Sequence, residues 1–198
     1  MTKYLGIIGY PLGHSISPVF QQAALDYLGI DARYLLWPTQ PNRLSEQMRL
    51  LTNGEVLGAN VTVPYKEAVI PYLDTISDLA RRVAAVNTLV NRNGVLHGYN
   101  TDVAGFMRAM EDDGKFDPAG KRALIIGAGG ASKAVALALL DANIASLTVA
   151  NRTLSRAEAL VESLPGDMNA NARPLTEATL ATSGGWDLVI NTTSVGMA

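Results

Sequence analysis

Short apolar runs alternate with longer segments in which apolar residues recur at helical spacing, most regularly in the second half of the chain. Continuous apolar runs favour strands, whereas recurrence at i, i+3 and i+4 favours helices. The pattern predicts helices over 131–142 and 155–164, a short helix before the last strand, and strands over 123–127, 147–151, 172–174 and 186–191. Strands and helices that alternate in this order form a parallel, doubly wound sheet of the Rossmann type.

The first half of the chain has a less regular version of the same pattern. Helical spacing predicts helices over 17–28 and 44–51, and apolar runs predict strands over 5–9, 32–37, 56–63, 86–90 and 95–99. Asn93-Gly94 lies between the last two runs and is a dipeptide that favours a tight β-hairpin. We therefore expect a mostly parallel sheet with one antiparallel pair.

The first predicted helix would begin at Ser17-Pro18, with the serine as N-cap and the proline in the first helical turn. Gly29 would end it. Its apolar face would consist of Phe20, Ala23, Ala24, Tyr27 and Leu28.

A further helix, predicted over 101–112, separates the two halves and is followed by Gly114 and the turn Asp117-Pro118-Ala119-Gly120. The predicted fold class is therefore α/β with two domains. The first domain covers 1–100, a connecting helix covers 101–114, and an incomplete Rossmann domain covers 115–198.

Composition and charge narrow the class of protein. The 198 residues carry a formal net charge of -2, which gives no global field that attracts nucleic acid or an anionic membrane. No apolar run is long enough to span a bilayer. We therefore expect neither nucleic acid nor a membrane as a partner. Cysteine is absent, which excludes disulfides and thiolate chemistry and fits a cytoplasmic protein. His14 and His97 lack ligand-like spacing, so we expect no metal.

Two polar strings follow apolar strands in the first half: Gly58-Ala59-Asn60-Val61-Thr62-Val63-Pro64-Tyr65-Lys66 and Gly98-Tyr99-Asn100-Thr101-Asp102. Each places a titratable side chain, Lys66 or Asp102, just past a strand, where a sheet delivers residues to a cleft. Amide and hydroxyl groups accompany them, at Asn60, Thr62, Asn87 and Asn100. Together these groups suit a polyhydroxy compound and the transfer of one of its protons. Taken singly, each is more typical of a turn, a cap or a surface charge, so the interpretation depends on their co-occurrence.

Ser15 and Ser17 lie on either side of Ile16, next to a predicted helix start. Their two hydroxyls could hold a carboxylate beside the helix N-terminus. The alternative is that Ser17 is simply a helix cap, which the sequence by itself favours.

The segment Gly127-Ala128-Gly129-Gly130-Ala131-Ser132 follows a predicted strand and begins a helix. Gly127 would permit a tight turn and Gly129 the close approach of a pyrophosphate, while the helix N-terminus offers N–H groups to the phosphates. The third fingerprint position is Ser132 rather than glycine or alanine. A plain strand-to-helix turn could use the same glycines, but the surrounding βαβ pattern favours a dinucleotide site.

The next strand ends in Asn151-Arg152-Thr153, and Arg156 follows one helical turn later. A site for NAD would carry an acidic residue here, whereas two guanidinium groups and a hydroxyl suit the 2′-phosphate of NADP. The alternative is a pair of solvated arginines. Like charges one turn apart at a helix N-terminus are unfavourable without an anion, so the sequence favours NADP.

These motifs, taken in order, resemble the shikimate dehydrogenase family over the whole chain. The motifs that carry the resemblance are Gly13-His14-Ser15-Ile16-Ser17-Pro18, Asn60 to Lys66, Ala85-Val86-Asn87-Thr88-Leu89, Asn100-Thr101-Asp102 with Gly105, the glycine segment with Asn151-Arg152-Thr153, and Asn191-Thr192-Thr193-Ser194-Val195-Gly196-Met197. The resemblance implies a substrate domain and an NADP-binding Rossmann domain in a cytoplasmic oxidoreductase of aromatic amino-acid and chorismate biosynthesis. It also implies a small-molecule substrate and a monomer or homodimer.

The resemblance further implies roles for single residues. Ser15 and Ser17 would hold the substrate carboxylate, and Lys66 and Asp102 would form the catalytic pair. The hydroxyl-binding positions would be Asn60, Thr62, Asn87 and Asp102, with Lys66 also in contact with the substrate. NADP would lie against Gly127, Ala128, Gly129, Gly130, Ala131, Asn151, Arg152, Thr153 and Arg156.

The implied reaction is the reversible reduction of 3-dehydroshikimate to shikimate by NADPH. Alternatives are a quinate/shikimate dehydrogenase that uses NAD or NADP, and a non-catalytic substrate-binding fragment. Two departures from the family are visible: Gln21-Gln22 replaces a common His-Asn pair, and the sequence stops at Ala198 where members of the family continue. We therefore expect the chain to be a fragment truncated at its C-terminus, poorly stable and nearly inactive by itself.

Overall fold

The computed structural model describes residues 2–165, 169–181, 185–193 and 195–196. The chain divides into two compact units, Met1–Thr101 and Asp102–Ala198. No helix within the described ranges is long and apolar enough to cross a membrane.

The first unit contains a six-stranded sheet in the order β2-β1-β3-β5-β6-β4. Its strands are β1 (Lys3–Gly9), β2 (Ala32–Pro38), β3 (Val56–Val61), β4 (Thr75–Ile76), β5 (Thr88–Arg92) and β6 (Val95–Tyr99). Its helices are α1 (Ser17–Tyr27), α2 (Leu44–Leu50) and α3 (Asp78–Val83), with 3-10 turns at Pro41–Arg43 and Ile70–Tyr72. The sequence pattern did not predict β4 or α3.

The sheet has two antiparallel pairs, not the single pair predicted. β5 runs antiparallel to β3 as well as to β6, whereas β1 is parallel to both β2 and β3. The hairpin signal at Asn93-Gly94 indicates only the β5–β6 pair, because the β3–β5 pair joins segments far apart in sequence. As a result, the carboxyl ends of β1, β2, β3 and β6 and the amino end of β5 share one edge of the sheet, called here the polar edge.

The two faces of this sheet bury different clusters. Ile8 points to one face, into the main core with Met48 of α2 and Leu89 of β5. Ile7 points to the other face, into a small cluster with Leu12 and Tyr34. Successive residues of a strand face opposite sides, so both faces of β1 are covered.

Helix α1 forms as predicted, but its predicted apolar stripe is not buried. No residue of α1 is fully buried, and Phe20 and Tyr27 are 53% and 89% exposed. The helix contacts the sheet through Leu25, which packs against the cluster that contains Tyr34. It also contacts β2 through Gln22, whose side chain accepts a hydrogen bond from the Tyr34 N–H and donates to the Ala32 carbonyl. The predicted cap was also wrong: Ile16 is the N-cap residue, and Ser17 is already helical.

The second unit contains a four-stranded parallel sheet in the order β10-β7-β8-β9. Its strands are β7 (Arg122–Ile126), β8 (Ser146–Asn151), β9 (Ala170–Pro174) and β10 (Leu188–Asn191). Its helices are α4 (Asp102–Arg108), continued by a π-helical turn at Ala109–Asp113, α5 (Gly130–Asp141), α6 (Leu154–Glu162) and α7 (Glu177–Leu180). This is the predicted Rossmann alternation, and it confirms the α/β fold class.

Candidate active site

The polar edge of the first unit is held together by backbone hydrogen bonds between the loops that leave its strands. The Thr62 N–H donates to the Ile8 carbonyl over 2.9 Å, and the Tyr10 N–H donates to the Val63 carbonyl over 3.1 Å. The Thr39 N–H donates to the Gly9 carbonyl over 3.0 Å. The ends of β1, β2 and β3 are therefore joined, so side chains that follow these strands share one fixed frame.

Lys66 lies in the turn after β3, and its backbone is held from two sides. Its neighbour Tyr65 is 4% exposed, and the Tyr65 hydroxyl donates to the Thr39 carbonyl. The Tyr65 N–H donates to the Thr62 carbonyl, and the Val86 N–H donates to the Lys66 carbonyl over 2.7 Å. A buried aromatic residue thus fixes the turn, while the Lys66 side chain itself is half-buried at the polar edge.

Ser15 and Ser17 lie after β1 at the start of α1, and both are half-buried. The Ser15 hydroxyl donates to Oγ of Ser17 over 3.1 Å, and the Ser17 N–H points to Oγ of Ser15 at 3.4 Å. The two hydroxyls therefore form an adjacent pair beside a helix N-terminus. Such a pair is suited to a carboxylate.

Asn87 lies immediately before β5 and ties the polar edge to the end of β6. Its Oδ1 accepts the Thr101 N–H over 3.0 Å, and its Nδ2 donates to Oγ1 of Thr101 over 2.9 Å. Its backbone also bonds to Val61 and Tyr99. Asn87 is 9% exposed, so this amide has a structural role whatever ligand it meets. The amide of Asn100 likewise bonds the Ala85 carbonyl over 3.0 Å.

Asn60 and Thr62 are half-buried at the end of β3 and just beyond it. Oδ1 of Asn60 accepts a hydrogen bond from the Tyr34 hydroxyl over 2.6 Å. The sequence pattern did not single out Tyr34, because the contact joins residues on two strands that are not neighbours. Asp102, the other predicted catalytic residue, is the first residue of α4 and belongs to the second unit.

The glycine segment of the second unit forms a turn between β7 and α5. Gly127 has a φ of +119°, and a Cβ built there would lie 2.4 Å from Oγ1 of Thr192. Gly129 has a φ of -110°, and a Cβ built there would meet no atom within 4 Å. Gly127 is thus required by the turn itself, whereas Gly129 leaves open space beside the N-terminus of α5. Ala128, Gly130 and Ala131 are half-buried around it.

Ser132, the departure from the glycine fingerprint, links this turn to the end of β10. Its Oγ accepts the Gly129 N–H over 2.9 Å and lies 2.8 Å from Oγ1 of Thr192. The Thr192 hydroxyl in turn donates to the Ile126 carbonyl over 2.7 Å. Ser132 is fully buried, so the serine stabilises the turn through these hydrogen bonds. Ser194 and Met197 of the Asn191 to Met197 motif lie outside the described residues.

The two glycines give a matched pair of substitutions. Gly127→Ala is expected to lower the free energy of unfolding by about 1–3 kcal/mol or more, because alanine is strained at that φ. Gly129→Ala is expected to cost no more than about 1 kcal/mol, since the space is open and only the cap preference changes. Its effect should instead be weaker NADP binding. Denaturant unfolding and cofactor titration measure both, and equal loss of stability in the two variants would contradict this.

The end of β8 carries the predicted 2′-phosphate site. Nδ2 of Asn151 donates to the Thr153 carbonyl over 2.8 Å, and Thr153 is the N-cap residue of α6. Arg152, Thr153 and Arg156 are exposed there. Among the described residues, no ion pair neutralises either arginine. Two uncompensated cations at a helix N-terminus favour an anionic ligand.

The described residues contain no group of three or more histidine, cysteine, aspartate or glutamate side chains that could hold a metal ion.

A Rossmann-type unit with an open glycine turn, together with a unit that gathers polar groups at one sheet edge, defines the class of nicotinamide-dependent dehydrogenases. Two family models match the chain: the shikimate dehydrogenase substrate-binding domain over residues 7–89, and shikimate/quinate 5-dehydrogenase over residues 112–196. The chain belongs to the shikimate dehydrogenase family, which confirms the resemblance found in its motifs.

Individual relatives agree with this assignment. The chain is 43% identical to the NADP(+) shikimate dehydrogenase of Bacillus cereus strain G9842 over 100% of its own length and 71% of that protein. The crystal structure of shikimate dehydrogenase from Aquifex aeolicus aligns with 100% of this chain and with 71% of the Aquifex chain, at 36% identity and a TM-score of 0.89. Shikimate 5-dehydrogenase from Thermus thermophilus was solved in complex with NADP(H) and shikimate. It aligns with 98% of this chain and with 70% of the Thermus chain, at 36% identity and a TM-score of 0.84.

Proposed function

We propose that the protein reversibly reduces 3-dehydroshikimate to shikimate with NADPH, in the cytoplasm, as a step of chorismate and aromatic amino-acid biosynthesis. The observation that carries the proposal is the polar edge. It gathers a hydroxyl pair, several amides and one lysine, which come from separate segments of the chain and share one hydrogen-bonded frame. Its chemistry matches a substrate that bears a carboxylate and several hydroxyls.

Each polar group then has a role toward the substrate. The hydroxyls of Ser15 and Ser17 would bind the carboxylate, since they form an adjacent pair beside the start of α1. The substrate hydroxyls would be bound by Asn60, Thr62, Asn87 and Asp102. Residues 1–100 would form the substrate-binding domain, 101–114 the connecting helix and 115–198 the NADP-binding domain.

Lys66 would be the general acid and base of the reaction. In the reducing direction its ammonium donates a proton to the substrate oxygen as the carbonyl becomes an alcohol. In the oxidising direction its amine takes that proton back. Asp102 would orient the substrate hydroxyl and Lys66 rather than carry the proton alone. The buried ring of Tyr65 holds the turn in place, so the lysine need not be ordered at the moment of reaction.

The residues of the second unit fit NADP. The open space at Gly129 and the N-terminus of α5 accommodate a pyrophosphate, and Arg152, Thr153 and Arg156 offer charge and a hydroxyl to the 2′-phosphate. Bound NADP supplies or accepts the hydride, while the protein provides position and electrostatics.

The test is a turnover assay on the complete gene product with shikimate and NADP, run beside quinate and NAD. NADPH formation with shikimate, together with poor turnover of quinate and of NAD, supports the proposal. Equal use of quinate would replace it with a quinate/shikimate dehydrogenase. Binding of shikimate without turnover would replace it with a substrate-binding protein. Sedimentation in the same buffer decides between monomer and homodimer.

A further inference from the structure

Tyr34 lies on β2, yet its side chain reaches across the neighbouring strand β1 to bond a residue of β3. In the register of the sheet, Tyr34 pairs with Leu5 and Asn60 pairs with Ile7, both on β1. The Tyr34 hydroxyl donates to Oδ1 of Asn60 over 2.6 Å. One hydrogen bond thus connects the interior of the unit to an amide at the polar edge.

The Tyr34 side chain is held in one place. It is 6% exposed and packs with Ile7 and Leu12, and Leu25 of α1 lies against the same cluster. Gln22 holds the backbone of the tyrosine by accepting its N–H over 2.9 Å. Burial raises the pKa of Tyr34 to about 12, so the hydroxyl keeps its proton and remains a donor at physiological pH.

A donor at this position distinguishes the two ends of the Asn60 amide. An asparagine side chain has one acceptor oxygen and one NH2 group, and rotation by half a turn exchanges them. The Tyr34 hydroxyl satisfies the oxygen, so the NH2 group takes the other direction. Within the described ranges, no residue accepts a hydrogen bond from Nδ2 of Asn60.

We propose that Tyr34 is a positioning residue that holds the Asn60 amide with its NH2 group available to the substrate. Asn60 then recognises an acceptor oxygen, from a hydroxyl or a keto group, and not a donor. The inference rests on the proposed function, which places Asn60 in the substrate site. The inference adds Tyr34, a residue that does not contact the substrate but determines which polar group of Asn60 faces the substrate.

The first test is Tyr34→Phe in the complete gene product, which removes the hydroxyl and keeps the ring. We expect the KM for shikimate to rise about three- to tenfold, as for the loss of one neutral hydrogen bond, with kcat within about twofold of wild type. Tyr27→Phe is the matched control, because Tyr27 is 89% exposed, and it should change neither constant. An unchanged KM in Tyr34→Phe overturns the inference.

Asn60→Asp tests the donor directly, with Tyr34 intact. The carboxylate can still accept from the tyrosine but presents no N–H, so the KM for shikimate should rise at least as much as in Tyr34→Phe. Near-normal affinity in this variant overturns the inference even if Tyr34→Phe fails to fold.

A double-mutant cycle separates positioning from a general structural effect. In an Asn60→Ala background, Tyr34→Phe should no longer change the KM, because there is no amide left to orient. An equal effect of Tyr34→Phe in both backgrounds contradicts positioning. A wild-type protein that does not turn over shikimate would contradict the proposed function and remove the basis of this inference. If the wild type is active, the KM values of the Tyr34 and Asn60 variants test the role of Tyr34 separately from the proposed function.

Discussion

Replacing Lys66 with methionine is expected to lower kcat for shikimate oxidation about a hundredfold to ten-thousandfold, with a much smaller change in KM. Methionine keeps most of the aliphatic stem but cannot carry a proton, so only the acid and base step is lost, and such steps typically contribute that factor. The turn should keep its conformation, because the buried Tyr65 and the Val86–Lys66 backbone hydrogen bond hold it. Steady-state kinetics on the complete gene product measure the effect.

Lys121→Met is the matched control for this experiment. Lys121 is an exposed lysine just before β7, so its replacement changes the net charge equally and alters no residue of the polar edge. It should leave kcat unchanged. Near-normal turnover in Lys66→Met, or an equal loss in both variants, would show that Lys66 is not the proton carrier.

The second unit could be predicted from the sequence because its signals are local. β7 and β10 lie on short apolar runs, and Gly127, Gly129 and Pro165 lie at the ends of elements. A tight strand-to-helix turn needs the positive φ of Gly127. The glycine motif predicts this turn without information on residues that are distant in sequence. The same holds for Asn93-Gly94, which predicts its hairpin from two residues.

The parts that could not be predicted depend on residues far apart in sequence. The β3–β5 pair, which brings Asn60 opposite Thr88, has no local signal. The Tyr34–Asn60 bond spans three strands, and the Asn87–Thr101 pair joins the start of β5 to the residues after β6.

The exposure of the apolar face of α1 could not be predicted from the sequence for a related reason. Helical spacing identifies an apolar face but does not show whether another element covers it. In the structure α1 meets the sheet through Leu25, which is not on the predicted face, and through the Gln22 amide, which bonds two backbone groups of β2, while Phe20 stays exposed. A polar residue at the contact cannot be recognised from hydrophobic periodicity.

The arginines after β8 are expected to give a strong preference for NADP over NAD. Arg152→Ala should weaken NADP binding about ten- to a hundredfold and leave NAD binding nearly unchanged, because a charge-assisted hydrogen bond to the 2′-phosphate contributes about 1.5–3 kcal/mol. Arg156→Ala should act in the same direction. Arg92→Ala, at an exposed arginine of the first unit, is the control. Titration of each variant with both cofactors measures these affinities.

The sharpest form of this prediction is a reversal of preference. Arg152→Asp places an acidic side chain at the end of β8, where it repels a 2′-phosphate and can bond the free 2′-hydroxyl of NAD. NADP binding should fall further than in Arg152→Ala, whereas NAD binding should improve. The gap between the two cofactors should also narrow with added salt in the wild type, because the arginines are exposed and their attraction is screened. Equal affinities for the two cofactors in the wild type, or an Arg152→Asp variant that still prefers NADP, would show that these arginines do not read the phosphate.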